Sequence, residues 1–485
     1  MSRLARRAGM MTGATLLSLA GALPARADTL REALVQAYST NPTLEAARAT
    51  QRGVDENVPI ARAAGLPSAS ADATAQKSLD NSLYSAVGPS RTFNAGVDLT
   101  MPVYSGGAVR NRVAAAKIRV EAGQADLRGT ESSLFTSVVS AYMDVIRGEA
   151  LVGLNRKNVS VLETNLQATT DRFEIGDVTR TDVAQSQSRL AVARSSERSV
   201  EADLAAARET YIRLVGKPPE NLVAPPPLPD LPASADDAVS VALDSNPTLI
   251  AARQRSKAAD RDIAAAGAGR LPKVSLFTTG SYTDYLGTVN RQYYGYDSFH
   301  SAAAGVSVTL PLFQGGLPAA QRRQAQAQAG AALEQEIGAE RDVIAQVRSA
   351  FTAYKASLDL IQSSQVAVDA STLSLEGVRA ENSVGRRTVL DILNAEQELL
   401  NAQTDLVTAQ RNAYVAGFAL LSAMGRAEAR DLNLEGGVLY DPQVNYERVR
   451  GKVFDWDNDP APVAQATRTV DTPVQDGNIP DQPEP

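Results

Sequence analysis

Residues 33–48 read ALVQAYSTNPTLEAAR, and residues 238–253 read AVSVALDSNPTLIAAR. Nine of the sixteen positions are identical at an offset of 205: Ala33, Ala37, Asn41-Pro42-Thr43-Leu44 and Ala46-Ala47-Arg48. The offset still holds at Leu66-Pro67 and Leu271-Pro272. An offset of 209 then takes over. It lays GVDLTMPVYSGG (96–107) on GVSVTLPLFQGG (305–316) and pairs Gly176 with Gly385, Thr179 with Thr388, Asp182 with Asp391 and Gly216 with Gly425. One four-residue insertion in the second copy explains the whole map. The chain is one structural unit written twice, so a reading of either copy is tested on the other.

The repeat divides the chain. The first copy spans 28–215 and the second 238–425. Between them, residues 216–237 hold seven prolines, the composition of a stiff, extended linker. Residues 426–454 are irregular. Residues 455–485 carry seven acids, one arginine and many prolines, too little apolar surface to fold, and are expected to be disordered. At the other end, Arg3, Arg6 and Arg7 precede an apolar run from Met10 to Leu23 and an Ala25-Arg26-Ala27 cleavage pattern. Residues 1–27 therefore read as a secretory signal peptide rather than a retained anchor. Its removal takes away four arginines and no acid, so the net charge moves from −7 to −11.

The side-chain inventory excludes whole classes of function. No cysteine and one histidine among 485 residues rule out disulfide frameworks, thiolate metal sites and the common zinc sites. No glycine-rich phosphate loop ends in Lys-Ser or Lys-Thr. The acidic balance argues against nucleic-acid binding. An enzyme, a metal and a cofactor are all unexpected, and His300 reads as a plain side chain beside a strand. Function is expected from shape and assembly.

Local patterns then describe one unit. Asn41-Pro42 is a helix start, with Asn as cap and Pro at the first helical position, and Ala-rich helix follows to about Gly65. Residues 68–76 alternate Ser68, Ser70, Asp72, Thr74 and Gln76 with Ala69, Ala71, Ala73 and Ala75. Residues 93–101 alternate Phe93, Ala95, Val97, Leu99 and Met101 with polar or small partners. Period two with one apolar face predicts strands. Val274–Tyr282 and Ala302–Leu310 repeat them. The loop between the second pair holds Tyr285, Tyr293, Tyr294 and Tyr296, which with Tyr282 suit either a membrane interface or an ordinary surface loop. Helix is expected from Gly107 to about Phe173, roughly 100 Å at 1.5 Å per residue. It is followed by a turn at Gly176 and a shorter helix from about Thr179 to Leu214. The second copy predicts helices over 315–381 and 388–422. The two short helices of each copy are expected to stack end to end beside the long one.

The strands force an assembly. No later run is long and apolar enough for a membrane-spanning helix, so membrane entry requires strands. Four strands cannot close a barrel, and lipid does not tolerate open edges. Barrels start at about eight strands, so two or more chains must pool theirs. A secreted coiled-coil rod without a pore is the remote alternative, and it leaves the strands unexplained.

The NPTL segments, the PVYSGG and PLFQGG junctions, and the hairpin ends FEIGDVTRTDV (173–183) and NSVGRRTVLDILNAEQ (382–397), duplicated and in this order, resemble the TolC family of outer membrane efflux and secretion channels. The resemblance covers the chain up to about residue 425. It implies a mainly α homotrimer whose twelve pooled strands form an outer membrane barrel continued by a periplasmic α-helical tunnel. Pro67, Pro102, Pro272 and Pro311 would turn strands into helices, and the linker and the equatorial region 426–454 would belt the tunnel. A periplasmic adaptor and an inner-membrane pump, ABC-type or proton-driven, would dock at tips near Gly176 and Gly385. Outer membrane lipids would surround the barrel. By the same resemblance Asp391 matches a pore-constricting aspartate and Asn394 occupies the second ring position. Arg387 matches a gate-linking arginine, with Thr181 and Asp182 as its partners across the hairpins. Asn382 stands where the best-known member has a tyrosine. Read by themselves, Thr179-x-x-Asp182 and Thr388-x-x-Asp391 also fit helix capping boxes. Without a cysteine to lipidate, the chain fits the secretion branch, so type I protein secretion is the expected role and small-molecule efflux the alternative.

Overall fold

The computed structural model describes residues 28–79, 89–228, 231–289, 292, 295–434 and 439–479. Residues 1–27, read above as a signal peptide, Tyr293, Tyr294 and the last six residues lie outside the described residues.

Each copy opens with a short helix that the sequence reading did not place: α1 (Leu30–Thr40), started by a Thr29–Glu32 capping box, and later α6 (Ala235–Ser245), capped by Ser234. The asparagine that ends each one caps the next helix, as expected. Asn41 accepts from the Thr43 amide at 2.9 Å to start α2 (Pro42–Asp55), and Asn246 accepts from Thr248 and Leu249 to start α7 (Pro247–Gly267). The first copy then differs from the expected single helix to Gly65. It breaks at Glu56 and restarts as α3 (Asn57–Ala63). Pro59 has no N–H to give the Asp55 carbonyl and so cannot continue the ladder. The second copy has Ala264 at that position and runs through.

The strands are β1 (Ser68–Lys77), β2 (Arg91–Ser105), β3 (Lys273–Asp284) and β4 (Ser298–Thr309), in one antiparallel sheet of order β1-β2-β3-β4. Register places Ala71 opposite Val97, Val97 opposite Gly280 and Leu276 opposite Val306, so one apolar face runs across all four strands. Among the described residues nothing covers it: Val97 is 58% exposed, Val306 61% and Val308 66%. Three of the four prolines sit just outside the strands, but Pro102 lies within β2. The register shifts between Pro102 and Tyr104, and the strand continues to Ser105. A proline that cannot donate to the ladder is accommodated at such a bulge. The strand-to-helix turn is made instead by Gly106 and Gly107, at φ +65° and +84°, copied at Gly315 and Gly316.

The helices that follow, α4 (Ala108–Glu174) and α8 (Leu317–Ser383), each have 67 residues, about 100 Å. They return as α5 (Arg180–Val215) and α9 (Val389–Ala423). The short helices meet end to end as expected. The Asn41 Nδ2 donates to the Leu214 carbonyl at 2.9 Å and the Asn246 Nδ2 to the Ala423 carbonyl at 2.8 Å, so one side chain closes two helix ends in each copy. In the upper half the helix layer runs α3, α4, α7, α8; in the lower half it runs α5, α4, α9, α8. The main core lies midway, where Phe135, Val138, Tyr142 and Val145 of α4 meet α1, Leu204 and Tyr211 of α5, and residues 427–434.

The irregular segments are held to this core. The Tyr142 hydroxyl donates to the Val223 carbonyl of the linker at 2.6 Å. After the short helix α10 (Pro442–Val449), residues 455–479 have no helix or strand, yet their far end differs from the expected free, disordered tail. Arg208 donates to the Asp476 and Asn478 carbonyls at 2.8 and 2.9 Å, and Gly477 lies against the Glu201 backbone. The docking uses main-chain acceptors, which composition does not reveal.

Candidate functional site

The two hairpin ends are built alike. Each long helix stops at a glycine in the left-handed region, Gly176 (φ +81°) and Gly385 (φ +76°). The Asp177 amide donates back to the Arg172 carbonyl and the Arg386 amide to the Glu381 carbonyl, both at 2.9 Å. This closes the last turn, and no side chain with a Cβ adopts that φ without strain. The apolar residues before the glycines point into solvent, Ile175 81% and Val384 69% exposed.

Both capping boxes are present. The Thr388 amide and hydroxyl donate to Asp391 Oδ2 at 2.8 Å each, and the Asp391 amide donates to Thr388 Oγ1 at 3.3 Å. Thr179 and Asp182 repeat these bonds at 2.8, 2.7 and 3.3 Å. The amide and hydroxyl of Thr388 hold the Asp391 carboxyl below its ordinary value; for Asp182 the Thr179 hydroxyl and then its amide do the same. Both acids are therefore charged at neutral pH and start their helices.

Within one chain Arg387 turns to its own hairpin. Its Nε donates to Glu381 Oε2 at 2.7 Å, and its guanidinium lies 4.0 Å from Asp391. It does not meet Thr181 or Asp182 in the same chain. The Asn382 Nδ2 donates to the Arg387 carbonyl at 2.7 Å and braces the turn. Asn394 is engaged rather than free: its Oδ1 accepts from Arg189 of α5 at 2.9 Å.

That bond belongs to a clasp between the copies that sequence reasoning missed. Leu393 of α9 is buried among Val159, Leu162, Leu190 and Ala193 of the first hairpin. One turn on, the buried Glu396 accepts from Asn165 Nδ2 on both oxygens, at 2.8 and 2.9 Å, and from Arg379 at 3.1 Å. The one available signal was an acid on the apolar side of α9, three residues after Leu393.

A family model described as "Outer membrane efflux protein" matches residues 33–217 and again 238–426, the two copies. The chain belongs to the outer membrane efflux protein family. It is 32% identical over 448 residues to the outer membrane efflux protein BepC of Brucella suis, covering 92% of this chain and 95% of the relative. It is 28% identical over 487 residues to TolC of Escherichia coli, covering 96% and 97%. The alkaline protease secretion protein AprF of Pseudomonas aeruginosa is 28% identical over 56% of this chain and 57% of its own. The solved outer membrane protein VceC of Vibrio cholerae has the same fold, with a TM-score of 0.69 at 23% identity, covering 82% of this chain and 96% of that one. This chain is an outer membrane channel of the TolC family with a long periplasmic extension. The mainly α fold with four strands per chain that the resemblance implies is the one observed.

Proposed function

We propose that three chains close one continuous duct, fed by a separate inner-membrane pump through a periplasmic adaptor, with no chemistry of its own. One observation carries this. The sheet and the helix layer are open on the same two sides: β1 and the short helices of the first copy on one, β4 and α8 on the other. Inside the chain, α4 already packs on the short helices α7 and α9 of the next copy. Repeating that contact between α8 and the α3 and α5 of a neighbour continues the layer around a ring, a head-to-tail contact that closes by rotation. The difference in burial supports it: α4 buries 21 residues, whereas α8, of equal length, buries six. Three chains supply twelve strands, an even number within the range of bacterial barrels. Mass measurement of the detergent-extracted particle is expected to count three chains; a single chain per particle refutes the ring.

The exposed Ile175 and Val384 at the tips are the surface offered to the adaptor. In a ring, three Asp391 side chains per constriction favour cations, and Arg387 is free to exchange Glu381 for Thr181 and Asp182 of an adjacent hairpin. For cargo, small-molecule efflux is supported by the similarity to BepC, which spans nearly the whole chain. Type I protein secretion is supported by the absence of cysteine and by the shorter similarity to AprF. Deleting the gene for this chain separates the two. Sensitivity to small toxic amphiphiles with an unchanged set of secreted proteins supports efflux; the reverse supports secretion.

A further inference from the structure

Directly below the sheet lies a collar of one charge sign. Residues 57–67, 106–119, 265–273 and 315–323 are the helix ends and turns that enter and leave the strands. They contain nine cations and no acid: Arg62; Arg110, Arg112, Lys117 and Arg119; Arg270 and Lys273; Arg322 and Arg323. The chain as a whole is acidic, at −7. At 1.5 Å per helical residue the collar reaches roughly 20 Å from the strand ends. Among the described residues, Arg119 alone of the nine is paired with a carboxylate, Asp262 of α7 at the collar's lower edge.

Part of the collar is shaped into a site. Between α3, α4 and the end of α10 lies a cavity of about 600 Å³ lined by Arg62, Arg110, Lys117 and Arg450, with Val58 and Val113 among its apolar walls and no acid in the lining. Arg62 Nη1 donates to the Arg450 carbonyl at 3.4 Å, which ties the two walls together, and Arg450 shares its charge with Glu447. Among the described residues, Arg110 and Lys117 have no carboxylate partner.

We propose that this cavity binds the phosphate headgroup of an anionic phospholipid in the periplasmic leaflet of the membrane that the sheet crosses, with the acyl chains rising along the apolar sheet face. The inference rests on the reading of the sheet as membrane-spanning. Clustered Lys and Arg beside a membrane-embedded element attract anionic headgroups. The position at the strand ends, the open concavity and the apolar walls suit a lipid better than a free anion.

The test is native mass spectrometry of the full detergent-extracted particle offered equal phosphatidylglycerol and phosphatidylcholine. Retention of phosphatidylglycerol by roughly tenfold or more is expected, falling to parity in an Arg62→Gln, Arg110→Gln, Lys117→Gln, Arg450→Gln variant with unchanged conductance. The Arg110→Gln, Lys117→Gln pair alone, on the exposed surface of α4, is expected to lose most of the preference if the fourfold variant fails to assemble. Equal retention of the two lipids, or a preference unaltered by the substitutions, overturns the proposal. So does displacement of the lipid by millimolar inorganic phosphate, which identifies a free-anion site. Absence of any conductance in a bilayer refutes the membrane reading itself, a separate failure.

Discussion

Replacing Glu396 with Ala tests whether the buried clasp holds the second hairpin to the first. The side chain is 5% exposed and accepts from Asn165 and Arg379, whereas Arg379 is 50% exposed. Arg379 is rehydrated in the variant, so its ion pair contributes little by itself. The half-buried Asn165 loses its bonds to a charged acceptor, at a cost of about 1–3 kcal/mol. At about 1.4 kcal/mol per factor of ten, local opening of residues 389–400 rises roughly 5- to 150-fold. Amide hydrogen exchange reads this directly, because it reports local opening even where global unfolding is unchanged. The assay compares residues 389–400 with residues 135–145 in the core, which are expected to be unaffected. Glu396→Gln keeps acceptor capacity toward Asn165 and is expected to fall between. Exchange within twofold of wild type across 389–400 refutes the clasp and leaves Glu396 as a packed side chain only.

Four further outcomes follow from named contacts. Asn246→Ala removes the cap on α7 and the bond to Ala423, and is expected to cost about 1–2 kcal/mol in denaturant unfolding. Asp391 has a lowered pKa in the folded hairpin, so its stabilisation is complete above the ordinary value of 3.8 and is lost as pH falls below it. Exchange at 388–392 is therefore expected to speed up on acidification in wild type and to lose that dependence in Asp391→Asn. Glu428 has the opposite sign: burial pushes it from 4.5 up to about 7, so the packing of 427–434 on α4 weakens as pH rises across that window, and Glu428→Gln is expected to abolish the change in exchange. Arg208→Ala removes the donor to two tail carbonyls, and is expected to make residues 470–479 susceptible to limited proteolysis while the hairpins stay resistant.

The features legible from sequence are those that act within a few residues. The Asn-Pro starts, the paired glycines at 106–107 and 315–316, the turn glycines 176 and 385, and both Thr-x-x-Asp boxes are local rules, and duplication doubled each signal. Helix α1 was overlooked because its Thr29–Glu32 box sits against the signal-peptide boundary, and the break at Pro59 because the Ala-rich pattern continues through it. Pro102 was read as a terminator when a bulge absorbs it. The clasp lay out of reach for another reason. Asn165 and Glu396 are 231 residues apart, and Arg189 and Asn394 are 205 apart, so they meet only through the packing of two hairpins. The docked tail is equally remote, since Arg208 recognises carbonyls that every residue carries.

The central claim is that this chain assembles into a membrane duct, and single-channel recording of the purified mature protein in a planar bilayer tests it most directly. Discrete, cation-preferring conductance steps are expected from a detergent-requiring particle, with the preference reduced in Asp391→Ala. Protein that stays soluble without detergent and gives no conductance contradicts the account.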